Sequence, residues 1–194
     1  MSETFHYFGY GSLINDQTRP PALIAQNAVL NGWRREWRVT GALSTSWDAT
    51  HNICALSVRP DSQCSIAGVL VEEPVGNLAS LDEREVRYQR LDVEVETQSG
   101  NRQASYVYQA LKEHSDWGSA DAPICLSYVD CVLQGVIHRF GEEALGAFFE
   151  TTDGWHVPIL NDRSQPIYPR SIVLSSRETE LIDAQLKAYD VCWK

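Results

Sequence analysis

Between residues 91 and 97 apolar or neutral side chains alternate with acidic ones without a fault. Leu91, Val93, Val95 and Thr97 point one way, and Asp92, Glu94 and Glu96 point the other. A period of two belongs to a strand with one wet face and one dry face. Ser99-Gly100-Asn101 follows as a turn, and Ala104 to Ala110 returns as the partner strand. The pair reads as a β-hairpin.

Other segments extend this strand-rich character. Phe5 to Gly9 is a short aromatic strand ended by glycines. Asn15 to Asn27 reads as a loop with a helical turn after Pro20-Pro21. Trp33 to Gly41 and His51 to Arg59 read as strands flanking a polar loop, Ser44 to Thr50, and Ile66 to Glu72 as a further strand closed by Glu73-Pro74. The period then changes. Val75, Leu78, Leu81 and Glu85 fall three or four apart, which predicts a helix over Val75 to Tyr88. Helices are also expected at Pro123 to Phe140, Glu142 to Phe149 and Arg177 to Tyr189, the last with Ser175 and Glu178 as a capping box. Strands first and helices later give an α+β fold. The expectation is one domain over 1–194: a mixed or antiparallel sheet curled towards a small β-barrel and flanked by helices. Its core spans about 5–140, and a helical and loop extension spans about 141–194.

Charge and composition narrow the function. The net charge is −10, so the chain gains nothing by releasing counterions from a phosphate backbone. Arg34, Arg35 and Arg38 interleave with Trp33 and Trp37, but Glu36 interrupts them and the stretch is short. Nucleic acid is therefore not expected as a partner. No run approaches the ~18 apolar residues of a membrane span. Met1 to His6 are polar and show no leader pattern. The five cysteines are odd in number and lack CxxC spacing, which fits a reduced cytoplasm and thiols that act as small apolar residues. The histidines are scattered, so no metal site is expected. A cysteine hydrolase using Cys54 or Cys125 lacks any nucleophile motif.

Two features carry chemistry. In Tyr7-Phe8-Gly9-Tyr10-Gly11-Ser12-Leu13 an aromatic strand runs into a loop with glycines on alternate positions. Glycine lets backbone approach a ligand, and successive amides in such a turn make an anion-binding nest. Ser12 adds a hydroxyl. The Gly-Lys-Ser/Thr ending of a phosphate loop is missing, so a carboxylate suits the cradle as well as a phosphate does. The second feature is Glu85, which falls in the register where the helix pattern calls for an apolar residue. A carboxylate there must be neutralised, hydrogen-bonded or functional.

These residues resemble the γ-glutamyl cyclotransferase family, including its glutathione-cleaving, cation-transport-regulator-like branch. Phe8-Gly9-Tyr10-Gly11-Ser12-Leu13-Ile14 is similar to the family's strand and Tyr-Gly-Ser motif. Leu81, Asp82, Arg84 and Glu85 satisfy both of its glutamate patterns, and Pro123, Tyr128 and Gly135 match a later one. The resemblance implies a small mixed barrel with its pocket at the Tyr-Gly-Ser loop. It implies attack of a substrate α-amine on its own γ-carbonyl carbon, which yields 5-oxoproline and a free amine without metal or organic cofactor. Glu85 is then the catalytic proton carrier. Gly9, Tyr10, Gly11, Ser12 and Leu13 bind substrate, Tyr128 binds from the opposite wall, and Tyr88, one helical turn after Glu85, supports it at the substrate or simply packs.

The chain also departs from the pattern. Leu13 stands where many members have Asn, and Asn15 where the glutathione-cleaving branch usually has Trp. The segment Thr151 to Arg170 has no counterpart in the minimal core. It reads as a structural loop pinned by Pro and Trp, with a lid, a homodimer contact or a specificity role as alternatives. In the last case Arg163 or Arg170 would meet a second substrate carboxylate. Two rival functions are a different γ-glutamyl transfer, and a non-catalytic domain of the same fold that senses γ-glutamyl metabolites.

Overall fold

The computed structural model describes residues 3–42 and 52–194. The expected polar loop Ser44 to Thr50 lies outside the described residues. Among the described residues eight strands pair in one sheet: β1 (Thr4–Gly9), β2 (Ile24–Ala42), β3 (Asn52–Pro74), β4 (Tyr88–Thr97), β5 (Arg102–Ala110), β6 (Ile124–Cys125), β7 (Thr152–Asp153) and β8 (Ile159–Leu160). Four α-helices among the described residues accompany them: α1 (Leu78–Arg84), α2 (Leu126–Phe140), α3 (Ala144–Glu150) and α4 (Ser176–Ala188).

The strand order β2-β4-β5-β1-β3 closes on itself, because β3 also pairs with β2. The result is a closed five-stranded barrel with helices around it, an α+β fold as expected. The barrel is mixed. β1 runs parallel to β5 at Tyr7 and Tyr106, and the other barrel pairings are antiparallel. The perfect alternation of residues 91–97 becomes β4, paired along its length with β5 across the expected turn.

Several elements differ from the sequence reading. The strands expected over His51 to Arg59 and Ile66 to Glu72 merge, from Asn52 onward, into one strand, β3, and His51 itself lies outside the described residues. The polar run at 61–64, which looks like a connection, bulges opposite Gly32 between the pairs Trp33–Pro60 and Asn31–Ser65. Asp61 Oδ2 accepts from Arg34 Nε at 2.8 Å there, and pairing with β2 continues on both sides. The helical turn expected after Pro20-Pro21 instead precedes the prolines, as a 3₁₀ turn over Ser12–Ile14. The helix expected over Val75 to Tyr88 is a 3₁₀ turn and the seven-residue α1, and Tyr88 already opens β4.

Burial follows the period of β1. Phe8 points into the main core, which fills the barrel and runs under α2, α3 and α4. Phe5 and Tyr7 point the other way, into a second cluster with Val69, Val71, Leu81 and Tyr108. Leu81 is on α1, so this second cluster seats α1 against the outside of β1 and β3. The extension is built into the main core through Trp155, Val157, Ile159, Tyr168, Ile182 and Leu186. α4 starts at the expected capping box of Ser175 and Glu178.

Candidate active site

β1 delivers the glycine loop. Its pairing with β3 ends at Gly9 opposite Val69, and the 3₁₀ turn begins at Ser12. The first amides of such a turn have no acceptor within it and are free to meet a ligand. The loop is braced from two directions. Arg35, 1 % exposed, donates from Nε to the Tyr10 carbonyl at 2.9 Å. Asn15, fully buried, donates from Nδ2 to the Cys131 carbonyl at 2.9 Å and to Gln134 Oε1 at 3.0 Å, which clamps the loop onto α2. Gly135 makes that contact feasible, since a Cβ there would stand 2.7 Å from the Asn15 nitrogen. The last glycine of the Pro-Tyr-Gly pattern thus lets helix and loop touch.

Glu85 reaches the site by a route that periodicity misses. α1 ends at Arg84, and Glu85 is its C-cap with φ −94° and ψ 30°. Its side chain is 23 % exposed rather than buried on a helix stripe. The expectation of a core-facing carboxylate is therefore corrected: leaving the helix turns this side chain towards a cavity. Arg84 Nε donates to Glu85 Oε1 at 3.0 Å and fixes the carboxylate's orientation. Among the described residues Oε2 has no hydrogen-bond partner. Asp82, also in the motif, has a structural task. It accepts from Tyr108 Oη at 2.7 Å and from Arg90 at 2.5 Å, which pins α1 to β4 and β5.

A cavity of about 150 Å³ lies between these parts. Gly9, Tyr10, Gly11, Ser12, Leu13, Glu85, Tyr88 and Tyr128 all line it, so the structure places every expected site residue on one hollow. Tyr88 does not sit a helical turn beyond Glu85. It stands at the start of β4 and donates from Oη to the Leu56 carbonyl at 3.0 Å. Tyr128 comes from the first turn of α2 and faces the loop, its Oη 3.1 Å from where a Cβ on Gly11 would stand. Tyr10 Oη donates to the Tyr108 carbonyl at 2.6 Å. Burial pushes the phenols of Tyr10, Tyr88 and Tyr128 well above the ordinary tyrosine range, and neighbouring phenols push the same way. They are neutral donors at physiological pH.

Other residues at the cavity escaped the sequence reading. Leu56, Arg87 and Tyr108 are mid-strand or turn positions with no motif to mark them, and Tyr7, the first residue of the motif, has no expected site role. Tyr168 comes from the extension, as does Arg170, which the sequence does offer as a reader of a second substrate carboxylate. Arg163, considered beside Arg170 as a reader of substrate charge, lies elsewhere: it holds the buried Asp130 bidentately at 2.7 and 2.9 Å and Asp183 at 2.8 Å. The Arg34, Arg35 and Arg38 cluster is split up. Arg34 pairs with Asp61, Arg35 is buried and Arg38 stacks over Trp117. Among the described residues no group of three or more His, Cys, Asp or Glu is placed to hold a metal ion. No helix among them is long and apolar enough to cross a membrane.

The family model described as gamma-glutamyl cyclotransferase, AIG2-like, matches residues 7–122, more than half of the 194-residue chain. The chain belongs to this family. The matched span of the gamma-glutamyl cyclotransferase, AIG2-like member includes the glycine loop and Glu85 and ends before Tyr128, Tyr168 and Arg170. No curated protein sequence matches the chain. Solved structures do. One, a gamma-glutamyl cyclotransferase, is 19 % identical with a TM-score of 0.61, over 94 % of this chain and 99 % of that one. An uncharacterised human protein is 19 % identical with a TM-score of 0.60, over 93 % and 99 %. A yeast gamma-glutamyl cyclotransferase specific to glutathione is 14 % identical with a TM-score of 0.52, over 97 % of each chain. Likeness at these identities is likeness of fold.

Proposed function

We propose that the chain is a γ-glutamyl cyclotransferase, which converts a γ-glutamyl compound to 5-oxoproline and releases the amine. One observation carries the reading: the Glu85 carboxylate and the glycine loop line the same cavity. Nucleophile and electrophile are parts of one substrate, so holding it folded supplies much of the acceleration. The α-amine attacks the γ-carbonyl carbon, and its proton passes to Oε2 of Glu85. The oxyanion that forms is stabilised by fixed donors, for which the loop amides and the neutral Tyr128 hydroxyl are suited. The tetrahedral centre then expels the amine nitrogen, which takes the proton back from Glu85. One carboxylate serves both transfers, and no cofactor is required.

The test is Glu85→Gln. Incubation with glutathione, γ-glutamyl amino acids and γ-glutamyl amines, with 5-oxoproline as the readout, also identifies the leaving group. The variant keeps the shape but cannot carry a proton, so turnover should fall by about 10²–10⁴ with 5-oxoproline binding retained. Undiminished turnover in the variant would remove Glu85 from the mechanism. Binding without turnover in the wild-type protein would favour a sensor.

A further inference from the structure

We propose that Arg170, from the extension, is the charge partner of the substrate's α-carboxylate. This rests on the cyclotransferase reading of the same cavity. Arg170 is half-buried, lines the cavity and donates from Nη2 to Ser12 Oγ at 3.2 Å. Its guanidinium also lies over the Tyr168 ring, 5.6 Å from the centroid. Among the described residues no carboxylate is ion-paired with it, in a chain of 26 acidic and 16 basic residues. The contrast with Arg163 and Arg84 is direct, since both hold acids. A guanidinium fixed at a cavity wall beside a hydroxyl and backbone amides is suited to grip a carboxylate.

The extension is built to present this residue. Asp162 is buried and accepts from the Ser127 amide and the Ile167 amide, both at 2.8 Å, and from the Ser127 hydroxyl. Ser127 Oγ in turn accepts from the Tyr168 amide at 3.2 Å. The segment leading to Arg170 is thereby locked onto the first turn of α2, next to Tyr128. The Tyr128 and Tyr168 rings stand 4.9 Å apart. Glu85 and Arg170 thus reach the same cavity from different elements. In a γ-glutamyl group the α-carbon bears both the carboxylate and the attacking amine. Gripping the carboxylate at Ser12 and Arg170 therefore restricts where the amine can point, which favours its delivery to Glu85.

5-Oxoproline isolates this contact, because its only carboxylate is the former α-carboxylate and the leaving group is gone. Calorimetry should compare 5-oxoproline with its carboxamide on the wild-type protein, Arg170→Met and Arg170→Lys. Arg170→Met should weaken the acid by about 10–100-fold, the range of one charged hydrogen-bond partner, and leave the amide within about twofold. Arg170→Lys should recover part of the acid's affinity. In turnover, Arg170→Met should raise KM far more than it lowers kcat. Equal binding of the acid by wild type and Arg170→Met overturns the proposal while the cyclotransferase reading stands. If the wild-type protein binds neither compound, that reading falls and the proposal with it. Matching circular dichroism spectra of the three proteins exclude misfolding as the cause.

Discussion

Arg35 Nε donates to the carbonyl oxygen of Tyr10 at 2.9 Å, so a fully sequestered cation in the barrel wall holds the glycine loop by its backbone. The same guanidinium donates to Thr151 Oγ1 at 3.2 Å and to the Ala67 carbonyl, and it lies 4.4 Å from the centre of the Phe148 ring. Burial pulls its pKa down to about 9, so it is still mostly charged at neutral pH.

The first prediction follows from that arrangement. Arg35→Met leaves buried acceptors without a donor, each worth about 1–3 kcal/mol and not additive. Removing a desolvated cation gives part of this back. The net expectation is a loss of roughly 2 kcal/mol in urea denaturation, with a drop in kcat as the loop loosens. Arg35→Lys should rescue little, because an ammonium cannot reach several acceptors in the plane of a fork. Wild-type stability and activity in Arg35→Met would show that the loop does not depend on this anchor.

A second prediction concerns Gly68 on β3. A Cβ there would stand 2.4 Å from the Gly9 carbonyl oxygen and 2.5 Å from Phe8 Cζ. Backbone oxygen cannot swing aside as a flexible side chain can, so Gly68→Ala must shift the strand that leads into the loop. The expected cost is about 1–3 kcal/mol, together with lost turnover. Gly76→Ala is the control, since nothing lies within 4 Å of its added methyl. It should change stability by less than about 0.5 kcal/mol. Equal effects of the two substitutions would refute the steric account.

Alkaline pH gives a third test. Burial raises Tyr168 to about 12 and puts Tyr10, Tyr88 and Tyr128 well above 10. Their folded values exceed their unfolded ones. The stability they contribute is whole below pH 10 and is lost as pH rises through the folded values. Arg35 acts in the opposite sense, because its folded pKa is depressed and its charge is lost from about pH 9 upward. The tyrosines outnumber it, so net stability should fall above about pH 10. Absorbance of tyrosinate near 295 nm should rise together with loss of the near-ultraviolet dichroism. Smooth tyrosine titration near pH 10 in a protein that stays folded would contradict this burial.

Much of the architecture can be read from the chain. The alternation at 91–97, the turn at 99–101 and the 3.6-period of the later segments are local patterns, and β4, β5, α2 and α4 follow them. The glycine loop and the Leu81, Asp82, Arg84, Glu85 pattern also announce themselves, because close backbone approach and an acid out of place leave marks in sequence. Glu85 illustrates the limit. Periodicity puts it on a buried helix face, yet it is the residue after a short helix, and only the cap turns it to the cavity.

The β2–β3 pairing that closes the expected barrel, the union of two predicted strands into β3, and the arrival of Arg170 at Ser12 were settled by tertiary structure alone. Arg163 and Arg170 look alike in sequence, seven residues apart in one irregular segment. What separates them is the partner each meets: Asp130 for one, the cavity for the other. Period and propensity are properties of neighbouring residues. The position of a charge relative to a residue 158 places away depends on how the whole chain packs, and no local pattern encodes it.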